Sequence, residues 1–138
     1  MVSHGEQLAQ SRQRLAEWKN VGRWIRENTP AKAKFITPRN QQTFKWYAQR
    51  AEVVTWKDIP QDATGLVEWR KILSEVFPPE GYGSDPAVHS DAELTAIARK
   101  YGATYLVIDR TRVRRPIGLP RLRPEEEPPT PTYAIHLT

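Results

Sequence analysis

Five charged side chains stand where short apolar runs give way to polar connections: Arg39, Lys57, Asp58, Asp109 and Arg110. Each follows a stretch rich in β-branched or aromatic residues, at 34–37, 52–56 and 103–109, the composition of a strand. In an open sheet of parallel strands, ligands bind beyond the carboxyl ends of the strands. These positions would then line one rim, together with Thr37, Pro38, Asn40 and Trp56. Cations and helix N-termini that converge on such a rim suit a phosphate or a sugar phosphate. Ordinary loops carry the same polar residues, so residue type alone does not make this a site. Asp58 and Asp109 would act as a carboxylate pair only if the fold fixes a working separation. Arg50 precedes the second strand as Lys57 follows it. It is expected in a structural role, either as a flanking surface charge or paired with a carboxylate near the domain edge.

The common catalytic signatures are missing. The chain has no GxGxxG, no GxxxxGK[ST] and no GxSxG, so no dinucleotide, P-loop nucleotide or serine-hydrolase chemistry is indicated. It has no cysteine, which removes disulfides, zinc thiolates and thiol catalysis but says nothing about compartment. His4, His89 and His136 lie far apart with no metal-ligand spacing. No metal, cofactor or catalytic residue is expected in this chain alone. Of the five tryptophans, Trp18 and Trp69 fall on apolar helical faces and are expected in the core. Trp24, Trp46 and Trp56 remain candidates for stacking.

The net charge of +5 invites a nucleic-acid reading. Six of the 21 basic residues fall between Arg110 and Arg123, and the others are spread along helices that also carry Glu. That pattern describes a solvated surface with one basic loop. Nowhere does the chain approach the roughly 18–20 apolar residues of a membrane span, and residues 1–20 lack a signal-peptide core.

These residues would be positioned by alternating helices and strands. Leu8, Leu15, Trp18, Val21 and Ile25 recur at helical spacing over 6–28, with a start polar enough to fray over 1–10 and a stop at Thr29-Pro30. A helix over 41–49 carries Phe44, Tyr47 and Ala48 on one side. Another carries Leu66, Trp69, Ile72, Leu73 and Val76. Residues 78–90 form a Pro/Gly-rich loop. Ser90-Asp91-Ala92-Glu93 is a capping box, and Gly102 suits a left-handed helix end. The run at 103–109 predicts a strand buried on both faces, and 133–137 a final strand. Between them, 111–132 is rich in Arg, Pro and Glu and predicts a mobile surface loop. The expectation is one α/β domain over 1–138. It has a small Rossmann-like, mostly parallel sheet of four strands with helices packed on it, the last strand antiparallel at the edge.

Several segments resemble the soluble C-terminal α/β domain of bacterial multi-spanning membrane proteins with a glycosyltransferase-like (GT-C type) membrane portion, a group that includes a domain family of unknown function. The likeness runs through Trp18-Lys19-Asn20-Val21-Gly22-Arg23-Trp24-Ile25-Arg26-Glu27-Asn28-Thr29-Pro30, Phe35-Ile36-Thr37-Pro38, Phe44 and Gln49-Arg50-Ala51-Glu52-Val53-Val54-Thr55-Trp56-Lys57. It continues at Gly65-Leu66-Val67-Glu68-Trp69 and Tyr101-Gly102-Ala103-Thr104-Tyr105-Leu106-Val107-Ile108-Asp109. The resemblance implies an α/β domain on the extracytoplasmic side of a membrane, beside a membrane-embedded parent or partner. It brings no catalytic residue, because the acidic metal-binding residues of such enzymes lie in the membrane portion. Three functions follow. The first is a non-catalytic accessory domain of such a protein. The second is a free-standing, cytoplasmic domain that binds a phosphorylated ligand at the rim. The third is nucleic-acid binding through 110–123.

Overall fold

A computed structural model describes residues 3–39, 43–55, 58–77, 86–111, 115–124 and 133–138. Helix α1, His4–Asn28, opens on a reciprocal cap in which the Ser3 hydroxyl accepts from the Glu6 amide and the Glu6 carboxylate accepts from the Ser3 amide. Two amides are thus satisfied in the first turn of a start that composition makes polar enough to fray. Strand β1 (Lys34–Ile36), the short helix α2 (Phe44–Ala48) and strand β2 (Ala51–Glu52) follow. Helix α3, Ala63–Val76, is capped by Asp62, whose carboxylate accepts from the Gly65 amide. A 3₁₀ turn at Pro86–Val88 leads into α4, Asp91–Tyr101. The Ser90–Glu93 capping box forms as the spacing predicts, and Gly102 closes α4 at φ 75°. The chain ends in β3 (Tyr105–Asp109), β4 (Arg121–Arg123) and β5 (Tyr133–Leu137).

The strands make one five-stranded sheet in the order β2-β1-β3-β5-β4. Pairing is parallel from β2 to β1 to β3 and antiparallel from β3 to β5 to β4. Seven of the eleven register pairs are antiparallel, so the sheet is mixed rather than mostly parallel. Two expectations are corrected together. There is a fifth strand, β4, and β5 lies inside the sheet rather than at its edge. The physical reason lies in β5 itself. Tyr133, Ala134, Ile135 and His136 are all buried, and a strand covered on both faces needs a partner on both sides. Arg121-Leu122-Arg123 supplies the second one. The Arg/Pro-rich connection is thus anchored at 115–124: Ile117 and Leu119 pack on the core, and the Leu137 amide donates to the Pro120 carbonyl at 2.8 Å.

Side chains alternate between two apolar layers. Phe35, Val107, Tyr133 and Ile135 face α1 and α2, where they meet Trp18, Val21, Ile25, Phe44 and Ala48. Ile36, Leu106 and Ile108 face α3 and α4, where they meet Leu73, Val76, Leu94 and Ile97. Aromatic rings dominate the first layer. Phe35 stacks on Tyr105 at 4.9 Å, and Trp18 lies 4.8 Å from Tyr133. Of the predicted core tryptophans, Trp18 is fully buried, while Trp69 is half-buried with its indole N–H donating to the Thr55 carbonyl at 3.0 Å. Leu8 and Leu15, expected on the buried face of α1, are exposed. Only the second half of that helix reaches the sheet.

Gly22 sets how closely α1 and α2 approach, since a Cβ there would lie 2.7 Å from Tyr47 Cβ and 2.8 Å from its carbonyl carbon. The gain in helix propensity for Gly22→Ala is about 1 kcal/mol, less than the roughly 1–3 kcal/mol cost of forcing two backbones apart. Urea unfolding of Gly22→Ala is expected to show a lower midpoint than the parent chain. Gly5→Ala, whose Cβ would meet nothing nearer than 4.0 Å, is expected to leave the midpoint unchanged or raise it.

Candidate functional site

The carboxyl ends of β1 and β3 are adjacent, and the two-residue alternation brings Thr37, Glu52 and Asp109 to the α1–α2 face of the sheet. Thr37 is buried, and its hydroxyl donates to Glu52 Oε1 at 2.7 Å, which ties β1 to β2. Asp109 is buried at the end of β3, opposite Tyr133 of β5. Its Oδ1 accepts from the Thr111 amide at 3.0 Å and the Thr111 hydroxyl at 2.6 Å. This local turn lets an acidic residue close a strand without leaving donors unmet. Arg39, two residues after Thr37, and Arg110, next to Asp109, are half-buried and make further polar contacts. Thr37 and Asp109 thus stand at the ends of neighbouring strands, with Arg39 and Arg110 following them in the chain. Glu52 joins them, a residue that strand-end reasoning missed because the second strand stops at Glu52 rather than at residue 56.

The remaining predicted residues go elsewhere. Asp58 is exposed and paired with Lys45 of α2, so the described contacts tie it to a helix surface and not to Asp109. Lys57, Trp56 and Asn40 lie outside the described residues. Among the described residues Arg50 binds no carboxylate. Its guanidinium donates to the carbonyls of Arg26 and Thr29, each at 2.9 Å, to Thr29 Oγ1 at 3.1 Å and to the Gln49 carbonyl at 3.0 Å. Of the two expected roles, surface charge or ion pair, neither describes these contacts, which cap the end of α1. The last carbonyls of a helix lack amide partners, and a cation at that end also meets the negative pole of the helix. The planar fork of Arg reaches several acceptors at once.

A second polar cluster sits where 115–118 meets the start of α4. Asp91 Oδ1 accepts from Arg115 at 2.9 Å, and Oδ2 accepts from the Gly118 amide at 2.8 Å. Arg115 also donates to the His89 carbonyl at 2.6 Å. Beneath this segment His136 is buried, and its Nδ1 donates to the Leu119 carbonyl at 3.0 Å. Burial holds the His136 pKa below its ordinary value, and Arg121 adds to the effect, against the bond to Leu119 that favours the charged ring. For Asp91, burial acts upward, but the bonds from Arg115 and Gly118 outweigh it and lower the pKa. Across α3 and α4, Glu75 accepts from Lys100 at 2.7 Å and from the Tyr101 hydroxyl, and both bonds hold its carboxylate below the ordinary range. Nothing in the sequence pairs residue 91 with residue 115, because the contact depends on where the Arg/Pro-rich connection lands.

Among the described residues no three of His, Asp and Glu are grouped to hold a metal ion, and no helix is long and apolar enough to cross a membrane. In comparison with known proteins, residues 16–76 match DUF6798, a domain of unknown function. No curated protein and no solved structure matches the chain. The matched span begins two residues before Trp18, where α1 first packs on the sheet, and runs to the end of α3.

Two outcomes follow. Arg50→Ala leaves helix carbonyls unmet beside the buried Thr29 and is expected to lower unfolding free energy by about 1.5–3 kcal/mol, with Arg50→Lys recovering only part of it. Stability is also expected to fall on acidification. A depressed His136 pKa contributes stability that is complete above the ordinary value of 6.5 and lost as pH falls through the folded-state value. Asp91 acts in the same direction below its ordinary 3.8. Melting temperature measured from pH 8 to pH 5 should drop more for the parent than for His136→Gln, which cannot take up the proton.

Proposed function

We propose that the chain is a non-catalytic accessory domain of a membrane-embedded, glycosyltransferase-like protein, held at a set distance from that protein by α1. The observation that carries this reading is the free half of α1. The helix is 25 residues long, roughly 37 Å, and residues 3–16 are exposed throughout. A helical segment of this size is marginal on its own. Here a capping box at its start and the packed turns at its end support it, so a lever of fixed direction projects from the α/β body. The polar side chains in the body are engaged in holding it together: Thr37 with Glu52, Asp109 with Thr111, Arg50 on α1 and Asp91 with Arg115. The resemblance of residues 18–109 to the soluble domains of such membrane proteins points the same way.

Because the chain has no cysteine, Leu8→Cys creates a unique attachment point for a photo-crosslinker. In cells of the source organism, the adduct is expected to yield tryptic peptides of a multi-spanning protein with a glycosyltransferase-like membrane portion. Glu68→Cys, on the solvent side of α3, should give none. Identical adducts from both sites, or none from Leu8→Cys, would remove the reading.

The rim supports a second reading, binding of a phosphorylated or sugar-phosphate ligand. What supports it is the adjacency of β1 and β3, whose ends precede Thr37 and Arg39 on one strand and Asp109 and Arg110 on the other, where α/β folds place ligands. Such a ligand would raise the melting temperature of the parent but not of Arg39→Ala or Lys57→Ala. A broad panel of phosphorylated compounds without any shift would dismiss it. The nucleic-acid reading gains less support. Of its cations, Arg110, Arg115, Arg121 and Arg123 are each half-buried, and phosphate neutralisation needs side chains free to reach the backbone of the nucleic acid.

A further inference from the structure

The buried side of α1 is defined by Trp18, Val21 and Ile25, and Gly22 turns toward Tyr47 of α2. On a helix of 3.6 residues per turn, Leu8, Arg12, Leu15, Lys19, Arg23 and Arg26 fall in a sector of about 80° beside Gly22, on the side where α2 packs. All six are exposed. Glu6, Glu17 and Glu27 lie outside that sector, so it presents cations and leucines without a carboxylate. Leu8 and Leu15 are each 46 % exposed. Helix α2 extends the same surface. Phe44 and Ala48 point into the core and Tyr47 toward Gly22, so Trp46 projects away from the sheet, 77 % exposed. The Lys19 ammonium lies 5.8 Å above the Tyr47 ring, which joins the two helices at this surface.

Solvent-exposed leucines and a tryptophan gain nothing from water, and a row of cations gains little from its own repulsion. Together they fit one surface chemistry. Apolar side chains enter the region between headgroups and acyl chains, tryptophan sits at that depth, and Lys and Arg meet anionic headgroups. Nucleic acid would use the cations but would leave Leu8 and Leu15 without a partner. We propose that the outer face of α1 and α2 binds the surface of an anionic lipid bilayer, with Leu8, Leu15 and Trp46 as shallow anchors and Arg12, Lys19, Arg23 and Arg26 as the electrostatic contacts. α1 lies along the bilayer plane and does not cross it. This binding needs no membrane-embedded partner, so it stands or fails apart from the accessory role above.

The test is co-sedimentation of the purified chain with vesicles of phosphatidylcholine alone or with about one-third phosphatidylglycerol, at low and moderate salt. Sedimentation with the anionic vesicles only, weakened by salt, is expected. Each cation near such a surface contributes about five-fold in binding, so Arg12→Glu with Arg23→Glu should weaken it about 25-fold or more. Lys71→Glu with Arg99→Glu changes net charge equally on exposed positions of the opposite helical layer and should have a far smaller effect. Trp46→Ser should weaken binding without changing its salt dependence. Equal sedimentation with both vesicle types, equal losses from the two charge pairs, or tighter binding to duplex RNA than to anionic vesicles would each overturn the proposal.

Discussion

The ladder between β3 and β5 is the constraint on which the other elements depend. Five successive pairs, from Tyr105 with Leu137 to Asp109 with Tyr133, form the longest run of cross-strand pairing in the described fold. Both strands are buried on both faces. Val107 and Ile135 support the aromatic layer under α1, while Leu106 and Ile108 support the aliphatic layer under α3 and α4. Parallel pairing then extends the sheet on one side of this ladder and antiparallel pairing on the other. A slip of one residue in its register would exchange the two layers and expose both.

Local signals in the sequence carried far. The capping box at Ser90, the left-handed end at Gly102 and the stop after Asn28 depend on neighbouring residues only and form where expected, and the apolar run at 103–109 forms a strand over Tyr105–Asp109. What was not legible depends on distant contacts. Arg121-Leu122-Arg123 has no strand composition of its own and becomes a strand because β5 has a free side to fill. Leu8 and Leu15 recur at helical spacing with Trp18, yet they lie beside the face that meets the sheet, in the sector of the exposed Lys19 and Arg23. The α1 pattern states that apolar residues recur and not which of them the sheet covers.

The candidate rim shows the same division. The parallel pairing of β1 and β3 follows from the intervening helices, and it puts the ends that precede Thr37 and Asp109 on neighbouring strands. Asp58 was drawn into the group by assuming a longer second strand, and its partner is Lys45 on α2 instead. Arg50 was recognisable as structural, but the acceptors it serves belong to a helix that ended some twenty residues earlier. Oxygen atoms of a helix terminus leave no trace in composition. Only the return of the chain past that terminus reveals them.

The two outer strands have a further consequence. β2 is two residues long, and β4 stands between Pro120 and Pro124, which offer no amide to an incoming chain. Arg121 and Arg123 add like charges to that border. Among the described residues both borders thus discourage the addition of another strand, and with it growth of the sheet into ribbons or fibrils. Such borders favour assembly through the helical layers, where side chains rather than the polypeptide backbone choose the partner.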